Sequence, residues 1–346
     1  MKIALVSPYD MGKRGGVQDQ VAVLARWFND EGHEACTVGP GNPTADMGIA
    51  DHRSTGGSRS LSLNGSKVPM SLGRHAKDLT LEAISDADVV HVHEPFVPRV
   101  ATAALVGAVQ PVVATFHADP AQWTRRLYSV GSYLARRVIS NAKIVTTVSP
   151  VSASAIAGFT DYEIIPNAIE TGFATSTKTR SQVMFLGRSD RRKGLHVLLE
   201  AWPKVHAAHP EATLIINSDS GQTLDGVRYV GRLSEAEKRT LYLQSDIFCA
   251  PNTGGESFGV VVADALAAGC AVVASAIPAF VHVAGEAGIF VAPGDVTSLA
   301  DGLVRVLGDD RLKRAKQVAG PIRAAEFSVV RVGNAYLDVY RLALSI

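Results

Sequence analysis

The run QVMFLGRSD, Gln182–Asp190, is a short apolar stretch that ends on a glycine and then turns polar. It reads as a buried strand that delivers the chain to a turn, because buried parallel strands are almost continuously apolar. Before it lies TGFATSTKTRS, 171–181, which is small, polar and without hydrophobic period, as a linker is. A unit of the same kind opens the chain, where KIALVSP from Lys2 runs into a glycine-containing turn. Two Rossmann-like halves are therefore expected, at 1–170 and 182–327, with 171–181 joining them.

Outward from that stretch the same alternation continues. EACTVG, DVVHVHE, PVVATFH and KIVTTVS read as further strands of the first half. ATLIINS, DIFCAP, AVVAS and GIFVA do so in the second. Segments 17–31, 121–140, 193–207, 234–244 and 259–268 have helical period. Strand and helix in alternation imply parallel sheets covered by helices on both faces, an α/β class. The strands are too many for one open sheet of usual width. The last segment, 328–346, is helical in pattern.

The bulk numbers fit an enzyme-like globular chain: 346 residues, 47% hydrophobic, 19% charged, formal net charge +1. A balance so near zero argues against a nucleic-acid partner. Cys36, Cys249 and Cys270 lie in apolar runs and read as buried thiols of a reducing compartment, not as a disulfide frame or zinc site. The apolar part of the opening MKIALVSPYD is about five residues, short of the ~7–15 of a secretory leader. No uncharged run reaches the ~18 residues of a membrane span. A cytoplasmic chain is expected, with room for attachment to a membrane surface.

Ligands of such sheets bind beyond the carboxyl ends of the strands. VSPYDMGKRGGVQ, HEPF, FHADP, GRSDRRKG and PNTGGESFG all follow strands. They are expected to line one cleft between facing halves.

Gly15 and Gly16 open the first helix, where bare backbone lets an anion approach free N–H groups. The pattern is not GxGxxG, so no nicotinamide site is indicated. A tight strand-to-helix turn would use the same glycines. Arg188 and Lys193 bring cations to the start of a helix, where the dipole disfavours them; neutralising a diphosphate leaving group would explain the misfit. Arg191 and Arg192 read as solvated. In GGESFGVVVADALAAG, Gly254 and Gly255 permit a turn that projects Glu256. The amides of Phe258, Gly259 and Val260 begin a helix able to hold phosphate. Glu256 suits sugar hydroxyls, and Asp264, an acid in an apolar helix, suits a ribose diol. The alternative is a helix cap and a stray acid.

His117 ends the strand PVVATFH, where it suits a sugar hydroxyl or a proton transfer. A satisfied core histidine is the other reading. His91, His93 and Glu94 invite a metal reading, but no further ligand stands at suitable spacing, so no metal is expected. Asp86–Asp88, DAD, has the form of a metal-binding DxD but precedes its strand, and reads as a turn. Two basic stretches remain. From Arg53 through Arg59, Lys67 and Arg74 to Lys77 the chain is Ser- and Gly-rich and reads as mobile. Segment 121–143 sets Trp123, Leu127, Val130, Leu134 and Val138 along one face, apart from Arg125, Arg126, Arg136 and Arg137. Either stretch fits an anionic acceptor or a lipid headgroup layer, or else a solvated loop and a packed surface helix.

Taken together, SPYDMGKRGGVQ, LNGS, VVHVHEP, ATFH, IPNAI, FLGRSDRRKG and CAPNTGGESFGVVVADALAAG identify a resemblance. The chain resembles the family 4 retaining glycosyltransferases of GT-B fold over essentially its whole length, and among them the branch that mannosylates phosphatidylinositol. The resemblance implies a GDP-mannose donor, metal-independent transfer without cofactor, and retention of the anomeric configuration. It implies that Gly15, Gly16, Arg188 and Lys193 meet the diphosphate, with Ser257 beside the amides of Phe258 to Val260. It assigns His117 and Glu256 to the transferred sugar, Asp264 to the ribose, and Glu235 and Lys238 to the neighbourhood of the base. Tyr9, Gln18, Asn64, Ser66 and Phe96 fall on the acceptor side. The final helix is expected to cross back to the first half.

Three positions depart from the family pattern. Asp264 replaces the second glutamate of an E-x7-E pair, Leu63 a tyrosine before NGS, and Phe96 an asparagine after HEP. The cationic membrane-docking helix is reduced to Arg74, His75 and Lys77. The implied enzyme is a monomeric peripheral protein of the inner membrane face. In it the acceptor hydroxyl attacks the face that the diphosphate leaves; a protein nucleophile is the rival mechanism. The rival functions are transfer from a UDP-sugar, transfer to another lipid or a soluble metabolite, and a non-catalytic nucleotide-sugar binding module.

Overall fold

The computed structural model of the chain describes residues 1–63, 66–71, 75–118, 132–154, 156–173, 177–187 and 190–346. The chain divides into two compact units, Met1–Ala168 with Val329–Ile346, and Ile169–Ser328.

In the first unit, seven parallel strands form one sheet. They are β1 (Lys2–Val6), β2 (Glu34–Gly39), β3 (His52–Ser54), β6 (Val89–His93), β7 (Val112–Phe116), β8 (Ile144–Thr147) and β9 (Glu163–Ile164), in the order β3-β2-β1-β6-β7-β8-β9. An antiparallel hairpin, β4 (Ser58–Leu63) and β5 (Ser66–Ser71), stands outside this sheet. The helices are α1 (Gly16–Asp30), α2 (Ala76–Ala83), α3 (Val100–Gly107), α4 (Ser132–Ile139) and α5 (Pro150–Ala153).

The second unit repeats the plan. Its strands are β10 (Thr179–Phe185), β11 (Thr213–Ile216), β12 (Val227–Tyr229), β13 (Ser245–Ala250), β14 (Ala271–Ser275) and β15 (Gly288–Val291), in the order β12-β11-β10-β13-β14-β15. Around them lie α6 (Leu195–Ala208), α7 (Glu235–Gln244), α8 (Val260–Ala267), α9 (Pro278–Ala284), α10 (Val296–Gly308) and α11 (Asp310–Ala324). Each sheet reverses its strand order once, between β1 and β6 and between β10 and β13, as in doubly wound dinucleotide folds.

The local causes are plain. The central strands are buried throughout and rich in Val, which suits a sheet covered on both faces. In α1, Val21, Leu24, Ala25 and Phe28 fall at helical spacing and enter the core. Full burial of such a side chain contributes roughly 1.5–3 kcal/mol. Gly32, at φ +81°, ends α1. Its N–H reaches Asn29 O (3.1 Å) and that of His33 reaches Phe28 O (2.9 Å), which is a Schellman closure.

All ten expected strands are present, and the final helix, Val329–Ser345, packs in the first unit as expected. Val332, Tyr336, Leu337, Tyr340 and Ala343 join the core around α1. Gly333 passes so close to Trp27 that an added Cβ would lie 2.1 Å from the indole.

Three expectations about the chain's layout change. The stretch from Arg53 to Lys77, expected to be mobile, holds β3, the β4–β5 hairpin and the start of α2. Its signal was the link Asn64-Gly65 between alternating Leu61, Leu63 and Val68, Met70, obscured by the serines. The expected linker 171–181 already enters β10 at Thr179. Of the helix expected over 121–140, only 132–139 is described, and there Leu134 is 66% exposed, so it does not pack. The DAD turn stands at the amino end of β6, where Asp86 pairs with Arg53 and the Asp88 carboxylate accepts the Lys2 N–H at 2.7 Å. Among the described residues no helix is long and apolar enough to cross a membrane.

Candidate functional site

In the second unit the strand-order reversal brings together the loops that leave β10 and β13. After β10 the chain makes a short turn over Arg191–Lys193 and enters α6 through Gly194 at φ +73°. A Cβ on Gly194 would sit 1.9 Å from Pro251 O, so only glycine lets the two loops touch. Thr253 N–H donates to Arg192 O at 2.9 Å across the same seam.

Arg191 and Arg192, expected to be solvated, are both exposed, and Arg192 is also engaged by its neighbour. The Asp190 carboxylate accepts from Arg192 Nη2 at 2.6 Å and from its backbone N–H at 2.9 Å. These bonds hold the Asp190 carboxyl below its usual pKa.

Opposite this turn, Gly255 at φ +71° turns the chain so that Glu256 faces the first loop. Lys193 Nζ contacts Glu256 Oε1, and Asn252 Nδ2 donates to the same oxygen at 2.8 Å. The side chains of Lys193 and Glu256 are 25% and 16% exposed, so the pair is shielded and still reachable. Gly259, at φ +98°, caps α8 with no side chain, which leaves the amides of Gly259 and Val260 at a bare helix start. Phe258 turns its ring inward onto Phe327, at 5.4 Å and 88°. Asp264 is half-buried on α8 and its charge, after burial itself, helps raise the pKa of Tyr242. Glu235 accepts from Lys238 Nζ at 2.6 Å in the first turn of α7. Arg188 lies outside the described residues.

The first unit carries a different cluster. Gly15 caps α1 with no side-chain bond, and a Cβ on Gly16 would meet nothing within 4 Å. The helix start is thus open beside Gly16, while the Gln18 side chain lies against Gly15, where a Cβ would be 2.7 Å from Oε1. Asp10, missed in the sequence, shapes this loop: Gly12 N–H donates to Oδ1 at 2.8 Å and Ser58 Oγ to Oδ2 at 2.5 Å. Gln18 is buried and its amide reaches Asp10 O at 3.4 Å. Tyr9 is half-buried with its N–H on Ser7 Oγ at 3.2 Å. Ser66 begins β5 opposite Leu63, and Asn64 lies outside the described residues. Phe96 packs edge-on against Phe116 at 5.3 Å, beside the apolar core.

At the carboxyl ends of β6 and β7 three imidazoles form a buried file. The ring centroids of His91 and His93 are 4.1 Å apart, and those of His93 and His117 are 5.1 Å apart. His91 bonds Tyr340 Oη at 2.7 Å and Thr115 Oγ1 at 2.6 Å. His93 Nδ1 lies 2.8 Å from His117 Nε2. Burial lowers the His91 pKa to about 3 and that of His117 to about 4, with Asn167 working against the second shift. Both His91 nitrogens, His93 Nδ1 and His117 Nε2 are committed to protein partners, whereas His93 Nε2 has none. Among the described residues no group of three or more His, Cys, Asp or Glu is arranged for a metal ion.

Glu94 follows at φ +51°, a left-handed conformation unusual for its type. Its Oε1 accepts from His117 N–H at 2.9 Å and Ala118 N–H at 2.6 Å. Sequence reasoning treated His93 and Glu94 only as metal candidates. Asn252 gave no signal at all, since an asparagine after a strand is common in turns.

The comparisons agree with this geometry. The model described as Glycosyltransferase Family 4 matches residues 14–173, and that of Glycosyl transferases group 1 matches 180–309. The phosphatidyl-myo-inositol mannosyltransferase of Mycolicibacterium smegmatis is 35% identical, over 94% of this chain and 89% of its own length. That of Propionibacterium freudenreichii is 30% identical, over 99% and 95%. Among solved structures, a glycosyltransferase from Rickettsia africae matches with a TM-score of 0.75 at 18% identity, covering 99% of this chain and 98% of its own. Anabaena HepE in complex with UDP-glucose matches at 0.73 and 18%, covering 98% and 99%. With two doubly wound parallel sheets, family models on both halves and relatives at this identity over nearly its full length, the chain belongs to the family 4 glycosyltransferases of GT-B fold.

Proposed function

We propose that the chain transfers mannose from GDP-mannose to a hydroxyl of a phosphatidylinositol-type lipid, with retention at the anomeric carbon. One observation carries the reading. Lys193 and Glu256 meet at the carboxyl ends of β10 and β13, a cation beside an acid at the reversal of the sheet. A sugar nucleotide needs that combination at its scissile bond. Lys193, with Arg188 and the amides of Gly259 and Val260, neutralises the diphosphate as it leaves. Glu256, its Oε1 held by Asn252, accepts hydrogen bonds from hexose hydroxyls. Donor binding then replaces Lys193 on Glu256 by those hydroxyls. Glu235 is suited to guanine, whose N1–H and exocyclic amine are donors that a carboxylate accepts.

His117, neutral because it is buried, serves the sugar as a hydrogen-bond partner rather than as a cation. The acceptor hydroxyl attacks on the side the diphosphate leaves, and the departing phosphate takes its proton. The named activities of the relatives in Mycolicibacterium and Propionibacterium favour the lipid acceptor. On α4, Tyr133 is 78% and Leu134 66% exposed beside exposed Arg136 and Arg137, a composition that suits a headgroup layer.

Phe96 favours a second reading. Packed on Phe116, it offers no hydrogen bond to an inositol, so a different lipid or a soluble hydroxyl acceptor is the alternative.

Labelled GDP-mannose and UDP-glucose, each incubated with and without phosphatidylinositol vesicles, test the assignment. Labelled lipid is expected from GDP-mannose alone. Labelled lipid from neither donor removes this acceptor, and transfer from UDP-glucose removes this donor. Turnover that persists in EDTA supports charge neutralisation by side chains.

A further inference from the structure

His93 and His117 share one hydrogen bond of 2.8 Å between His93 Nδ1 and His117 Nε2. Both rings are buried, 0% and 8% exposed, and burial depresses the basicity of each. Two neutral imidazoles in such a bond place one N–H and one lone pair there. The remaining nitrogens decide which ring donates. His117 has a side-chain hydrogen bond with Asn167 that raises its pKa against the effect of burial. His93 Nε2 is buried with no hydrogen-bond partner. If His117 donated, His93 would carry its own proton on Nε2, a buried N–H with nothing to receive it. If His93 donates from Nδ1, the orphan is a lone pair instead. Orphaned buried N–H groups are rarer than under-satisfied acceptors.

The backbone of His117 is held by the neighbouring residue. Glu94 accepts both the His117 and the Ala118 N–H, in a left-handed backbone that only a well-determined setting maintains. The dipeptide His93-Glu94 thus grips the same histidine at its ring and at its main chain.

We propose that His93 is a positioning residue that fixes His117 as its Nδ1–H tautomer, so that His117 presents an N–H donor to a hydroxyl of the transferred sugar. The proposal deepens the function proposed above and rests on its reading of His117 as a sugar contact. Glu94 sets where the ring stands, and His93 sets which of its edges carries the proton.

The test uses the full chain with 15N-labelled histidine, read by long-range proton–nitrogen spectra, and three variants. In the unaltered protein the His117 ring is expected to show a protonated Nδ1 and a bare Nε2. His93→Asn keeps a donor where Nδ1 stood, so tautomer and kcat are expected to stay close to the parent. His93→Leu removes the donor; His117 is expected to populate both tautomers and kcat to fall roughly 10- to 100-fold, with donor KM within about twofold. A parent spectrum with the proton on Nε2 overturns the proposal, as does a His93→Leu protein with unchanged tautomer and kcat. If His93→Leu does not fold, the parent spectrum and His93→Asn decide. His117→Ala separates the two readings: full transfer in that variant removes His117 from the reaction, while the spectra still report whether His93 sets its tautomer.

Discussion

The loops beyond β10 and β13 flank the strand-order reversal of one sheet; those beyond β6 and β7 leave one flanking strand of the other sheet and its outer neighbour, the places that β13 and β14 hold in the second unit. In the second unit the pair at that place is ionic, Lys193 with Glu256, partly exposed and set by glycines at positive φ. In the first unit the residues are His91, His93, Glu94 and His117, each no more than 9% exposed and joined to neutral or amide partners. Under the function proposed above, the difference follows from what each end has to meet. A diphosphate carries charge that must be matched, so counter-charges are kept near water until it arrives. A neutral hexose needs fixed donors and acceptors, which burial keeps in one protonation state.

The sharpest way to break this contrast is Glu256→Ala. Transfer is expected to fall at least about 100-fold, while the far-ultraviolet dichroism stays unchanged. Near-normal turnover would remove the acid from the site. The buried end is probed by acid. His91 and His117 titrate at about 3 and about 4 in the folded chain against 6.5 when unfolded. Above 6.5 neither state takes up a proton there. Below it the unfolded chain does so first, and stability falls by about 1.4 kcal/mol per group for each pH unit, until about 4 for His117 and about 3 for His91. Urea midpoints measured between pH 7 and pH 4 report this; a flat profile contradicts neutral buried rings.

Smaller effects sharpen the comparison. Gly194→Ala forces a Cβ against Pro251 O at a positive φ, and is expected to cost at least about 1–3 kcal/mol and to lower activity, because it separates the two loops that present Lys193 and Glu256. Tyr340→Phe leaves His91 Nδ1 without its partner and is expected to lower stability by about 1–3 kcal/mol, read from the same urea curves, with kcat little changed. Asp86→Asn loosens an exposed pair with Arg53 and is expected to change stability by about 1 kcal/mol or less and transfer not at all. A loss of activity there would revive the DxD reading.

What was legible in the sequence follows the same division. QVMFLG, VVHVH and AVVAS announce buried strands by composition, and the glycines at 194, 255 and 259 mark turns at positive φ. Glu256 and Lys193 stood out because an acid between glycines and a cation at a helix start are locally unfavourable. The buried partners did not stand out. Asn252, Asp10 and Glu94 act by contacts with atoms 4, 48 and 23 residues away, and a single polar residue after a strand has no local anomaly to betray it. The β4–β5 hairpin was hidden for another reason: its serines made the stretch read as polar and mobile, although Leu61 and Leu63 alternate with them.

The final helix has a consequence for biogenesis. The second unit, Ile169–Ser328, is an uninterrupted segment inserted within the first, whose own last piece, Val329–Ile346, is translated after it. As the chain leaves the ribosome, the inserted segment is complete while the N-terminal sheet still lacks the helix that lays Gly333 on Trp27 and Tyr340 on His91. Nascent chains halted before residue 329 would expose that apolar seam, and would be the form most in need of a chaperone.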